Sequence, residues 1–133
     1  MHQGSCLCGA VAFVISGPMR SITACHCHQC RKQSGHLWAA TSVAEDDLTF
    51  EHDEGLTWYR ASATAERGFC DICGSTLFWK PEGEARIAIT AASIDEPTGL
   101  TLERHVFVAD KGDYYVINDG LPQFPGSRGG SNA

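Results

Sequence analysis

The sequence predicts a mainly β protein, built of short antiparallel strands with little helix, and three observations carry that prediction. Short runs rich in β-branched and aromatic residues recur along most of the chain. Gly, Pro, Asp and Glu punctuate the gaps between them. Seven cysteines stand in three tight groups, which suits short strands stapled by zinc.

The elements follow in order. Residues 10–16, Ala-Val-Ala-Phe-Val-Ile-Ser, read as a strand ended by Gly17-Pro18. Residues 28–33 predict one helical turn, stopped by Ser34-Gly35. Residues 36–42, 48–51 and 56–60 read as further strands. Residues 75–80 and 85–90 flank Pro81-Glu-Gly-Glu84, a hairpin turn. Residues 106–108 and 114–117 are expected as late strands. Strands at this spacing, with turn signals between them, predict an antiparallel architecture.

A chain of 133 residues is long enough for one domain with a real hydrophobic core, and no internal stretch has linker composition. The expectation is a single zinc-binding domain over residues 1–125 and a flexible polar tail over 126–133. No apolar run approaches the roughly 20 residues that span a bilayer, so no membrane partner is expected. The opening Met-His-Gln-Gly-Ser-Cys has no basic region followed by an apolar stretch, so no secretory signal is read. A cytoplasmic location follows, where clustered thiols point to metal or catalysis rather than disulfides. The formal net charge is −6, with only 10 Lys and Arg, scattered. That argues against gripping nucleic acid by its phosphates. Exposed edge strands leave room for a homodimer.

The cysteines divide as four plus three. Cys70-Asp-Ile-Cys73-Gly74 is a knuckle pattern: two thiolates two residues apart meet one metal across a tight turn, and Gly74 takes positive φ at low cost. Its natural complement is Cys6-Leu-Cys8-Gly9, where Gly9 supplies the bend that an extended strand lacks. Four thiolates leave zinc coordinatively full, so that site is expected to hold the fold. Cys25-His-Cys27-His-Gln-Cys30 offers three thiolates within six residues. Three protein ligands leave a position open, and zinc there would turn an incoming thiol into a thiolate at neutral pH. Two other readings stay open for this cluster. Histidine closes the site in one, with His28 and His36 better placed than His26, which sits between two ligands. Cys30 is a metal-free nucleophile in the other, activated by Arg31 and Lys32. His28 is also a candidate proton shuttle.

Three stretches then carry a resemblance: residues 4–11 (Gly-Ser-Cys-Leu-Cys-Gly-Ala-Val), 25–35 (Cys-His-Cys-His-Gln-Cys-Arg-Lys-Gln-Ser-Gly) and 67–75 (Arg-Gly-Phe-Cys-Asp-Ile-Cys-Gly-Ser). Together they resemble the glutathione-dependent formaldehyde-activating enzyme family, also called the centromere protein V/GFA domain. Residues 92–97, 105–107 and 119–124 look like that family's C-terminal part. The resemblance implies a β-tent fold with two zinc ions per chain. It implies a structural zinc on Cys6, Cys8, Cys70 and Cys73, and a catalytic zinc on Cys25, Cys27 and Cys30. It also implies carbon–sulfur lyase-type chemistry, the reversible addition of glutathione to formaldehyde. The residues support the chemistry without naming the thiol or the carbonyl, and a non-catalytic two-zinc module that binds thiols or a protein is the alternative. Of the remaining residues, Trp38 is read first as core packing and second as a pocket wall, and Arg31 and Lys32 either bind the carboxylates of a tripeptide or form a solvated basic pair on a turn.

Overall fold

The structure, a computed structural model, describes residues 1–127. Most of the expected tail, from Arg128 on, lies outside the described residues. Ten strands and one α-helix run β1 His2–Ser5, β2 Ala12–Ile15, β3 Ile22–Cys25, α1 His28–Ser34, β4 Trp38–Ala44, β5 Leu48–His52, β6 Leu56–Arg60, β7 Ala65–Cys70, β8 Thr76–Pro81, β9 Arg86–Thr90 and β10 Leu102–Val106. A small sheet has the order β1-β2-β5. A larger one has the order β10-β3-β4-β9-β8-β7-β6. Every neighbouring pair is antiparallel except β10–β3, which is parallel. The mainly β fold expected from the sequence is therefore present. No helix among the described residues is long and apolar enough to cross a membrane.

Three strands went unread for physical reasons. The His2–Ser5 segment has no large apolar residue and is held by β2 on one side and a single bridge from Gly4 to Ile94 on the other. The Ile22–Cys25 segment is too short to show alternation. Ala65-Glu-Arg-Gly-Phe-Cys70 carries two charges and a glycine, composition that argues against a strand, yet it lies between β6 and β8 with Arg67 buried. Two late expectations change. Residues 114–117 form no strand; Tyr114 and Val116 are exposed. The strand expected at residues 106–108 lies instead at Leu102–Val106, sharing only Val106 with the expectation, because Phe107 enters the left-handed region at φ 55°.

Register divides the large sheet into two working faces, because directly paired residues point the same way. Ile89 pairs Thr41 and Phe78, and Ile87 pairs Val43. This face packs on Phe13 and Ile15 of the small sheet, all fully buried or nearly so. Phe78 anchors it, with its ring 5.4 Å from Phe13, 5.6 Å from Phe50 and 6.0 Å from Trp58. The opposite face carries Cys25 paired with Trp38, Thr23 paired with Ala40, and Arg67, Trp79 and Ala88 in cross-strand sequence. Phe78→Ala empties the centre of the core face; denaturant unfolding is expected to show a loss of about 3–5 kcal/mol.

Candidate metal centres and the adjoining cavity

The four-sulfur group forms where the first hairpin meets the end of β7. Gly9 (φ 85°) and Gly74 (φ 83°) turn the backbone where side-chain residues are strained, so each cysteine pair curls around a common centre. Gly74 N–H donates to the Cys70 carbonyl at 2.8 Å, closing the knuckle. The Leu7 N–H bonds the Ser75 hydroxyl at 3.0 Å, tying one loop to the other. Cys6, Cys8, Cys70 and Cys73 bring their sulfur atoms within 4.8 Å of one another and could hold a metal ion. The Cys6–Cys8 and Cys8–Cys70 separations are 3.7 and 3.8 Å. Four sulfurs about 2.3 Å from a tetrahedral zinc lie about 3.8 Å apart, so these residues fit that ion. Their electrostatics favour ionised sulfur at two positions. The Ser75 hydroxyl leads in pulling the Cys73 thiol down to about 5. Burial opposes ionisation of Cys6, but the Val11 N–H, 3.3 Å from its sulfur, and the neighbouring thiols outweigh it.

The second group sits on the other face of the large sheet. Cys25 ends β3, Cys27 caps α1 by accepting the Cys30 N–H at 3.3 Å, and Cys30 is buried on the first turn of that helix. Gly35 closes α1 in the left-handed conformation, as Ser34-Gly35 foretold. The three sulfurs lie within 4.8 Å of one another and could also hold a metal ion. Without a cation they share one negative charge. The facing Cys25 thiol leads in pushing Cys27 down to about 2, and the same contact pushes Cys25 strongly up. Cys30 is pulled down by Cys25, but Cys27 and burial together carry it up.

No imidazole joins this trio among the described residues. His26 is fully buried with both nitrogens engaged, Nδ1 with the Tyr115 hydroxyl at 2.7 Å and Nε2 with His105 Nδ1 at 2.9 Å. His105 Nε2 in turn meets Asp119 at 2.7 Å. One proton arrangement satisfies all three bonds with both rings neutral: Tyr115 donates to His26, His26 to His105, and His105 to the carboxylate. Burial foremost, then His105, pushes His26 down to about 4, which matches a neutral ring. His28 points to solvent, its side chain 75% exposed, 3.3 Å from Arg31 and 3.9 Å from Asp110. His36 bonds the Tyr114 hydroxyl at 2.7 Å.

A cavity of about 220 Å³ opens beside the trio. Trp38 lines it, the second of its two sequence readings, and is also packed among buried residues, with its indole N–H held by Thr90 at 2.9 Å. Trp79, Ala40, Ala88, Val106 and Phe107 complete the apolar wall. Phe107 is held in its left-handed conformation by a bond from its N–H to the Gly126 carbonyl. The basic residues in the lining are Arg20 and Arg67, not Arg31 and Lys32; Arg31 Nε is spent on the Asp110 carbonyl at 3.1 Å. Sequence reasoning gave no site role to Arg67, Gln29 or Trp79. One signal was present: Arg67 opens the third cysteine stretch, three residues before Cys70.

The two-sheet β fold carries two cysteine groups, each of which could hold a metal ion, and one of them borders a cavity. The sequence pattern of the glutathione-dependent formaldehyde-activating enzyme family matches residues 1–110, and the chain belongs to that family. It is 31% identical over 117 residues to an uncharacterized lyase of Schizosaccharomyces pombe, covering 86% of this chain and 83% of that one. It is also 31% identical over 125 residues to a Halomonas elongata protein, with 86% and 80% covered; that protein's name carries a provisional assignment as a glutathione-dependent formaldehyde-activating enzyme. The fold is shared with a crystal structure of a Rhodobacter sphaeroides protein, at TM-score 0.61 and 20% identity, covering 91% of this chain and 98% of that one.

Two outcomes follow from the geometry. Cys70→Ser opens the group that joins the first hairpin to β7; it should bind one metal ion fewer and lose several kcal/mol in thermal unfolding. Cys30→Ser should also bind one ion fewer yet unfold within about 1–2 kcal/mol of the wild type. The His105 hydrogen bond foremost lowers the Asp119 carboxyl below its ordinary value. Its contribution is therefore present above about pH 4 and lost as pH falls through the depressed value. Asp119→Asn should speed amide exchange at Phe124 at pH 7, with the difference from wild type vanishing in acid.

Proposed function

We propose that the protein is a zinc-dependent carbon–sulfur lyase that joins a thiol such as glutathione reversibly to a small aldehyde such as formaldehyde, within one domain spanning residues 1–125. The observation that carries this reading is the Cys25–Cys27–Cys30 trio on the wall of a cavity, while the other four cysteines lie apart from it. In this reading Cys6, Cys8, Cys70 and Cys73 hold one zinc for folding, and Cys25, Cys27 and Cys30 hold the second for chemistry. Zinc on three thiolates supplies a low-pKa thiolate from a bound thiol at neutral pH.

The chain's own residues do the rest. Cys25, at the end of β3, and Cys27 and Cys30, around the first turn of α1, set the direction from which a thiol approaches. Trp38 and Trp79 wall the cavity and keep water from the reacting carbon. The 220 Å³ volume suits a small aldehyde and the cysteinyl portion of a thiol, leaving the rest of a tripeptide outside. The thiol's sulfur pair forms the bond to the carbonyl carbon, and the displaced π pair moves to oxygen. The thiol proton leaves to solvent, and a proton returns to that oxygen. His28, exposed beside Cys27, takes the shuttle role between bulk water and the site. The family membership and the names carried by the two relatives support the same reading.

The test replaces zinc with cobalt and adds glutathione. Intensified sulfur-to-cobalt absorption is expected in the wild type and absent in Cys30→Ser, and formaldehyde release from the adduct should exceed the uncatalysed rate. Absence of both signals overturns the proposal. Thiol binding without turnover would instead support a non-catalytic thiol-binding module.

A further inference from the structure

Arg67 lies on β7 with 2% of its surface exposed, among the most deeply buried charges of the described residues. Its guanidinium is nearly fully committed. Nε donates to Gln29 Oε1 at 2.7 Å, Nη2 donates to the Cys30 sulfur at 3.3 Å, and the plane lies 5.3 Å from the Trp38 ring centre. Nη1 is the exception: it is buried and has no hydrogen-bond partner, the one such side-chain nitrogen or oxygen found among the described residues. Arg67 lines the cavity beside the cysteine trio, whose lining includes Arg20 but no aspartate or glutamate.

A buried guanidinium nitrogen without an acceptor is costly unless something binds there. Offsetting the charge of the thiolates accounts for Nη2 on Cys30 but gives Nη1 no partner. The rigid guanidinium fork places Nη1 beside Nη2, so an oxygen accepting from Nη1 sits close to the Cys30 sulfur. Arg67, Cys30 and Gln29 all line the cavity, which is the side from which an acceptor would have to approach.

We propose that Arg67 is a catalytic residue whose Nη1–H holds the substrate oxygen: the carbonyl oxygen of the aldehyde, and the alkoxide that replaces it. This rests on the thiol–aldehyde reading above and assigns the oxygen subsite within it. As the thiolate's electron pair forms the carbon–sulfur bond, the carbonyl π pair moves to oxygen and the Arg67–oxygen bond becomes charge-assisted. The alkoxide then takes a proton from solvent, equal to the one the thiol released, and neutral hydroxymethyl thioether leaves. In reverse, loss of the hydroxyl proton and collapse of the alkoxide expel the thiolate. An oxyanion donor of this kind acts more strongly in the transition state than on the neutral carbonyl. Arg67 therefore affects the rate constant more than thiol affinity.

The test uses zinc-loaded protein and formate, a one-carbon anion with oxygens on the carbon that formaldehyde would occupy. In the wild type, formate is expected to shift the guanidinium nitrogen resonances of Arg67 together with the Gln29 and Trp38 side-chain N–H signals. Arg67→Met should weaken formate binding about tenfold or more, as loss of a charge-assisted bond does, and Arg67→Lys should recover part of it. Unchanged formate affinity in a folded, metal-replete Arg67→Met overturns the proposal. So does wild-type formate binding that leaves the Arg67 resonances still, a result that needs no variant to fold. Failure of glutathione to bind the wild type would sink the thiol reading alone, because the formate response of Arg67 is read without any thiol.

Discussion

Crowded sulfur is the constraint on which the rest of this protein depends. Seven thiols are drawn into two groups whose members lie within 4.8 Å. Thiolates at that distance repel, so a metal-free group carries little charge. The opposed shifts of Cys25 and Cys27 express this directly, one proton-holding sulfur supporting one ionised neighbour. A divalent cation removes the conflict, and its binding energy becomes folding energy wherever the ligands come from distant parts of the chain. Cys6 and Cys70 are separated by 63 intervening residues, whereas Cys25 and Cys30 are separated by four. A metal that closed the long loop would constrain far more of the chain than one that closed the short loop.

The large sheet gives these two groups different surroundings. One face is sealed by Phe13, Ile15 and Phe78 against the small sheet. The other carries small residues, Ala40 and Ala88, between the indoles of Trp38 and Trp79, and that mixture of sizes leaves space rather than filling it. A layered β protein needs only one buried face for stability. The second face is free to hold a cavity, and the cysteine trio stands on it. The Tyr115–His26–His105–Asp119 chain ties the trio's loop to the C-terminal segment. It occupies the histidine that lies between two of the sulfurs, so the imidazole nearest in sequence is held away from them.

Much of this was legible beforehand. The division of cysteines, the bends at Gly9 and Gly74, and the short helix stopped at Gly35 all rest on local rules. Spacing within a motif limits geometry over a few residues, and the sequence displays spacing openly. The strand of residues 65–70 was illegible for the converse reason. Glu66, Arg67 and Gly68 contradict strand composition locally, and only the partners β6 and β8 make the segment a strand. Residues 114–117 show the opposite error: apolar and aromatic content suggested pairing, but the fold provides no partner edge and uses Tyr115 for its hydroxyl.

By itself, then, the sequence determined which cysteines cluster together, the mainly β class and the family, because those follow from short-range spacing and composition. Tertiary structure alone decided that Arg67 lies against Cys30, that His26 is spent on Tyr115 and His105, and that the trio borders a cavity. Arg67 and Cys30 are 37 positions apart, and His26 and Tyr115 are 89 apart. No local pattern encodes such meetings, since they arise from the order in which strands pair across the large sheet.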